Sequence, residues 1–305
     1  MNKQMSSKNN PYQRHNGMWS PAQQRALSKT CVAIGGVGGV GAAQALLLAK
    51  TGIGRIRIAD RDSYEIENIV EQAFATWDVV GRDKVVVAKK EMKRHNDNQI
   101  VESFHGDLSS EQASKDLVSG SSIVFSGVDN PSSRIALGRA ALETGVPFVV
   151  GANVGWSYFY TIYLPERGGY AAAFASSDDI AKDNMGFPVL ADNKTRKKIE
   201  RDWCMWTVTV SGFRRSELRR FIAGKLDHFS YAAGPAFAVA SVTVTEGLKL
   251  LLGIGSVVAF PEMRLIDMKR GEEVPREILN RRFNAVADVW ELGASSIFEA
   301  LKQHE

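Results

Sequence analysis

The stretch from Thr30 to Gly41 constrains the fold more than any other part of the chain. Thr30 to Ile34 is an apolar run that reads as a buried strand. The glycine-rich segment Gly35 to Gly41 reads as a tight loop, and Ala42 to Lys50 as a helix that starts within it. Gly36, Gly38 and Gly41 meet the G-x-G-x-x-G spacing. In that spacing the glycines permit a sharp turn, let backbone approach a phosphate and allow close packing of helix on sheet. The helix that follows directs its free N–H groups and positive dipole end at a ligand. The spacing alone fits nicotinamide, flavin or ATP, and a plain βα turn equally.

Downstream, Arg55 to Ala59 alternates polar and apolar residues and ends at Asp60, about 20 residues past the loop, which implies a parallel strand–helix–strand unit. Lys84 to His95 reads as a helix, Ile123 to Ser126 as a strand, Arg134 to Thr144 as a helix and Pro147 to Val150 as a buried strand. This alternation predicts an α/β fold: a Rossmann-like, mostly parallel sheet with helices on both faces. Tyr158 to Leu164 and Arg264 to Met268 read as further strands, and Ser241 to Leu252 as an apolar helix stopped by Gly253, so an α+β C-terminal half is expected on the same sheet.

Ahead of the core, Ser20, Pro21 and Gln23 spell a capping box that opens a short helix to about Leu27. The expected organisation is an N-terminal arm and helix (1–28), an ATP-binding core (29–175), an insert (176–232) and a C-terminal part of the same domain (233–305). Residues 176–230 show weak periodicity and two basic clusters, Lys194 to Arg201 and Arg214 to Lys225, which read as solvated helix faces or as a substrate-facing surface.

Among 305 residues, 44% are apolar and 24% charged, and no run approaches the roughly 18 uninterrupted apolar residues of a membrane span, so no membrane contact is expected. The polar N-terminal stretch lacks the apolar segment of a secretory signal, which makes a cytoplasmic protein the expectation. Cys31 and Cys204 are the only cysteines, which rules out a disulfide framework and a four-cysteine zinc site. A net charge of +4 is too small for this length to indicate a nucleic-acid partner without a recognised module.

Behind the glycine loop come, in order, Asp60-Arg-Asp62-Ser-Tyr-Glu-Ile-Glu-Asn68, Lys84 at a helix start, and Ser126-Gly-Val-Asp129-Asn130 at a strand end. This ordered set resembles the ThiF, MoeB and HesA adenylyltransferases, relatives of the ubiquitin-activating enzymes, whose loop is typically G-x-G-G-x-G; here it is Gly36-Val-Gly38-Gly39-Val-Gly41. The resemblance covers residues 12–155 well and 233–253 more weakly. It implies adenylation of a carboxylate with ATP and magnesium (Mg2+), a reaction that needs negative charge offset on phosphates and nucleophile.

By the same resemblance Gly36, Gly38, Gly39 and Gly41 cradle ATP, Asp60 takes the ribose hydroxyls with Asp62 beside it, and Asn68 lies near the triphosphate. Lys84 is implied to contact the α-phosphate and Asp129 to bind Mg2+. A lysine at a helix start faces the positive end of the dipole, a conflict that a bound phosphate resolves. Arg14, in Tyr12-Gln-Arg14, resembles an arm arginine that reaches the partner subunit's ATP, which implies a homodimer with composite sites. Plainer readings stay open: a strand-end cap for Asp60, a solvated lysine for Lys84, an Asn-Pro turn at Asp129 and a mobile surface residue for Arg14.

Two departures from the family pattern bear on the chemistry. Familiar members follow the asparagine with a segment ending Arg-Gln, whereas Asn68-Ile-Val-Glu71-Gln72 puts an acid where a cation is expected on the triphosphate. Arg14, Arg82 or Arg134 then substitutes, or ATP binds more weakly, or the pocket takes another ligand; Arg134, five residues past Asp129, is the preferred substitute.

Family members that activate sulfur carriers also tend to bear C-x-x-C pairs and a cysteine ahead of the long helix. Here Phe229-Ser230-Tyr231-Ala232-Ala233-Gly234 places Ser230 at that cysteine, and Cys204, between Trp203 and Trp206, reads as a buried apolar thiol. Consumption of the acyl adenylate by a group of the substrate itself is therefore expected, as in the branch that makes microcin C and pantocin A. The expected substrate is the carboxylate or terminal amide of a peptide or small protein, first of all a ribosomal precursor of a peptide antibiotic, met by residues 176–230, whose basic residues suit an acidic peptide. Sulfur-carrier or ubiquitin-like activation, activation of a carboxylate on a modified tRNA adenosine, a catalytically inactive subunit and an NAD-dependent oxidoreductase are the alternatives. The last leaves Asn68, Lys84 and Asp129 without a role.

Overall fold

Helix α1 (Pro21–Leu27) opens on the capping box spelled by its sequence: the Ser20 hydroxyl accepts from the Gln23 N–H, and the Gln23 side chain accepts from the Ser20 N–H. A computed structural model describes residues 10–174, 179–226 and 231–302. After α1 come β1 (Cys31–Gly35), α2 (Gly39–Thr51), β2 (Arg55–Asp60), α3 (Lys84–His95), β3 (Ile100–His105), α4 (Glu111–Val118), β4 (Ile123–Ser126), α5 (Pro131–Glu143) and β5 (Phe148–Val154). Then follow β6 (Ser157–Tyr163), α6 (Asn193–Val210), α7 (Arg215–Ile222), α8 (Ala233–Leu252), β7 (Arg264–Asp267), β8 (Glu272–Glu273), α9 (Arg276–Asp288) and α10 (Ala294–Lys302).

The strands form one sheet in the order β3-β2-β1-β4-β5-β6-β7-β8, parallel from β3 to β5 and antiparallel from β5 onward. This is the expected Rossmann-like sheet with an antiparallel extension. Strand side chains alternate between two cores as a period of two requires: Val32, Ile34, Ile123 and Phe125 pack on one face, Ala33 and Val124 on the other. The first face is covered by α2, α3 and α8, the second by α4 and α5. Helix α8, long and apolar enough by composition to cross a bilayer, here lies against α2, β5 and β6 and ends at the left-handed Gly253. Helices α6, α7, α9 and α10 share a smaller cluster around Met205, Val208, Leu218, Val286 and Phe298.

Several boundaries differ from the sequence reading for local reasons. Helix α5 begins at Pro131 rather than Arg134, because the Asn130 side chain accepts from the Ser133 N–H at 2.7 Å and proline takes the first turn. Strand β5 runs on to Val154 because it forms a hairpin with β6. Strand β3 has no apolar run because it is an edge strand whose only fully buried residue is Val101.

Since β2 pairs on one side of β1 and β4 on the other, the β1 and β4 ends form a topological switch point, where α/β sheets bind ligands. Two loops cross there. A Cβ on Gly127 would stand 2.5 Å from the Gly36 carbonyl oxygen and 2.7 Å from the Gly41 Cα, and one on Gly41 would overlap the Gly36 carbonyl. Gly127→Ala is accordingly expected to destabilise the protein by about 2–3 kcal/mol through backbone overlap. Gly234→Ala, in open space at the start of α8, should stabilise it by about 0.5 kcal/mol. Urea denaturation of both variants checks the contrast, and equal midpoints would dismiss the crossing as a constraint.

Candidate active site

The switch point opens into a cleft of about 190 Å³ whose walls carry Gly36, Gly38 and Gly39, Asp60, Asp62, Lys84, Asp129 and Arg134 together. Gly41 is packed behind the loop, against Gly36 and Gly127. Helix α2 starts without a side-chain capping hydrogen bond, and its N-terminus at Gly39 faces the cleft.

Asp60 ends β2 and does two things. Its Oδ2 accepts from the Val37 N–H at 2.7 Å and its Oδ1 from the Asp62 N–H at 2.9 Å, which clamps the glycine loop to β2. Burial raises its carboxyl above the usual range, opposed by those two bonds and by Lys84. Lys84, buried at the first position of α3, holds its Nζ 3.5 Å from Asp62 Oδ2. Asp129 follows the Gly127 crossing and is exposed in the cleft.

Arg134 is buried in the first turns of α5, where its Nη2 donates to the Val128 carbonyl at 2.7 Å. Its guanidinium lies 5.2 Å from the Trp203 ring of α6. Its Nε is buried without a protein partner, a state that a bound anion would relieve. Of the three arginines weighed as substitute cations, Arg134 alone lines the cleft; Arg82 borders a separate surface hollow.

Glu71 is the unusual occupant. Its carboxylate lies so close over Gly39 that a Cβ there would overlap it, and it accepts from the Gln72 amide at 2.7 Å. Burial raises its carboxyl, against the Gln72 bond and Lys84, and Asp129 adds to the rise. The Gln72 Oε1 is buried in the same wall without a partner.

Some expected residues stand apart. Asn68 caps its own turn, its Oδ1 accepting from the Glu65 N–H at 3.0 Å, and it does not line the cleft. Arg14 is exposed on the 3₁₀ turn Pro11–His15, whose Tyr12 packs against Gly52 at the far end of α2. Phe229 and Ser230 lie outside the described residues. Cys204 is half-buried on α6, burial raises its thiol, and it lines neither the cleft nor the cavity beside it. None of the basic residues of 194–201 or 214–225 lines the cleft. The insert contributes Trp203 and Tyr231 instead, two residues that no motif spacing marks.

The model of the ThiF family matches residues 12–284. The chain is 32% identical over 137 residues to the sulfur carrier protein ThiS adenylyltransferase of Bacillus subtilis (strain 168), covering 44% of this chain and 40% of that protein. It is 31% identical over 132 residues to the sulfur carrier protein adenylyltransferase of Thermus thermophilus, covering 43% and 48% respectively. The chain thus spans less than half the length of these curated relatives. Among solved structures, E. coli MccB with ATP matches with a TM-score of 0.66 at 18% identity, over 87% of this chain and 70% of that one. PaaA matches with a TM-score of 0.62 at 19% identity, over 90% and 75%. At such identities the likeness establishes the shared fold.

The raised carboxyl of Glu71 has a definite sign. Its ionised form is disfavoured in the folded protein, so its contribution to stability is best below its ordinary value of 4.5 and falls as pH rises through the raised value. Glu71→Gln removes that titration. Urea midpoints measured from pH 4.5 to 7.5 should therefore move in the variant's favour as pH rises, and a gap independent of pH would show that Glu71 ionises without penalty.

Proposed function

Because the chain belongs to the ThiF family, we propose that it is an ATP-dependent adenylyltransferase that activates a carboxylate of a peptide or small protein in the cleft between β1 and β4. The observation that carries this reading is the meeting of an uncapped helix N-terminus, Asp60, Lys84, Asp129 and the partly unpartnered Arg134 in one cleft. In the proposed reaction a carboxylate oxygen bonds to the α-phosphorus as the bond to the β-phosphate breaks and pyrophosphate leaves. The glycine loop and α2 hold phosphate oxygens, Asp60 accepts from the ribose, and Lys84 with Arg134 offsets the charge that builds around the α-phosphate.

The donor set also suits Mg2+. Asp129 presents a carboxylate in the open part of the cleft, and hard oxygen donors of this kind are what the ion takes. When bound, the ion would supply charge neutralisation on the leaving phosphates.

The fate of the adenylate follows from what borders the site. No cysteine lines the cleft among the described residues, and the thiol of Cys204 is raised by burial, which favours consumption by a nitrogen or other group of the substrate over thioester transfer. Sulfur-carrier activation is the second reading, favoured by the names of the curated relatives. Residues 176–232 fit the role of a substrate-facing insert through Trp203. Arg14, remote from its own cleft, fits a role in a homodimer in which it completes the partner's site.

Exchange of labelled pyrophosphate into ATP, with peptide and Gly-Gly-ending protein substrates, tests the reading. Lys84→Ala and Asp129→Ala should each lower exchange by about 100-fold or more. Full exchange by either variant would remove that residue from the site while leaving the class intact, and ATP-independent binding of NADH would sink the class. For the composite site, Arg14→Ala and Lys84→Ala proteins that are each inactive should, mixed and re-equilibrated, regain roughly a quarter of native activity, because half the dimers carry one intact site. Failure of the mixture to recover would leave Arg14 without a part in the reaction.

A further inference from the structure

Beside the nucleotide cleft, and sharing Arg134 and Trp203 with it, lies a second cavity of about 350 Å³. We propose that this cavity is the acyl pocket of the same site and that it selects a carboxylate whose terminal residue bears a bulky apolar or aromatic side chain. The inference rests on the adenylation reading for the fate of the carboxylate, but not for the pocket's preference.

Continuity is the first argument. Arg134 stands between the two chambers, tied by Nη2 to Val128 and stacked on Trp203, with Nε unpartnered. A carboxylate paired with that guanidinium faces the glycine loop on one side. The side chain on its α-carbon is then left facing the second cavity.

The second argument is the chemistry of the wall. Phe159, Tyr163, Tyr170, Trp206 and Met263 make it apolar, and its charged members are Arg134 and Asp202. Asp202 is already paired with Lys198 at 2.7 Å. A charged side chain entering here would lose its water among mostly apolar groups, with the unpartnered Trp206 Nε1–H as its one neutral donor, which is costly. None of the basic residues of 194–201 or 214–225 lines the pocket, and Lys198, at its edge, is taken up by Asp202, so an acidic terminal residue finds no free cation in it beyond Arg134.

The wall is also set in shape before any ligand arrives. Tyr163 and Tyr170 meet edge-to-face at 4.6 Å, Phe148 and Tyr170 at 5.4 Å, and Phe159 and Trp206 at 5.6 Å. Pockets of this size, lined by aromatic groups with one oriented polar residue, are the usual form of small-ligand sites.

The test uses the full chain with N-acetylphenylalanine, N-acetylleucine, N-acetylglycine and N-acetylglutamate. Binding is followed by the fluorescence of Trp203 and Trp206, and adenylation by pyrophosphate exchange. The two bulky apolar acids should bind and exchange about 100-fold better than the glycine derivative, in the range that hydrophobic pockets achieve. Ile199→Phe and Met263→Phe, which narrow the cavity from different walls, should each reduce that preference at least about tenfold and leave ATP affinity unchanged. Equal exchange with all four acids would overturn the pocket while adenylation stands. If no acid supports exchange and ATP does not bind, the adenylation reading falls. The pocket is then judged by fluorescence alone, where phenylalanine bound no tighter than glycine or glutamate overturns it.

Discussion

The whole site depends on two backbone segments passing within contact distance of each other. The glycine loop after β1 and the loop after β4 cross at Gly36 and Gly127, where the Gly127 N–H donates to the Gly35 carbonyl at 2.6 Å. On the other side, the Gly36 N–H donates to the Ala59 carbonyl at 2.8 Å and Asp60 holds the Val37 N–H. The loop is therefore clamped between the ends of β2 and β4. Asp60 and Asp129 face the same cleft because their strands grip the same loop. Gly36 and Gly41 serve that crossing, which leaves Gly38 as the glycine whose free face opens toward a ligand.

Charge in the cleft is distributed in an unusual way. A helix N-terminus attracts anions, and here a carboxylate of the protein, Glu71, already lies over Gly39 at that end. Its buried and partly uncompensated state is reflected in its raised carboxyl. A cation lines the same cleft from α5, as Arg134. Arg134 is held in place by Val128 and by Trp203 of α6. The consequence is structural: Trp203 of α6 packs on Arg134 and lines both the cleft and the second cavity, so the two chambers share a wall.

What could be read from the sequence follows a physical division. Strands β1 and β4 are buried on both faces and show as apolar runs, β2 shows as an alternation of polar and apolar residues, and the glycines and acids at their ends sit at fixed short spacings from them. The positions of Asp60 and Asp129 beside the cleft are legible for that reason, whereas Lys84, at the first position of α3, is marked only by the resemblance. Asn68, expected near the triphosphate, does not line the cleft: its Oδ1 caps its own turn, a competition that spacing does not reveal. The extent of helix α6 is not legible because its first half, 193–202, is polar and its second half apolar, so no single periodicity runs through it. The contact of Trp203 with Arg134 is hidden for the same reason.

The second cavity is illegible in the sequence for a deeper reason. Its wall draws on α5, β5, β6, α6 and residues as distant as Met263 and Phe283, so no local pattern connects its members. Moreover, an aromatic residue lining an apolar cavity has the same sequence appearance as one filling a core, since both satisfy the same burial. Phosphate chemistry leaves a local trace because backbone N–H groups must be bared by glycines at particular positions. Recognition of an apolar side chain asks only for space among large residues. On the proposed reading the reaction type is therefore encoded in the first half of the chain at short range. Substrate choice is then encoded at long range, in how α6 and the antiparallel extension of the sheet leave the volume beside Arg134 unfilled.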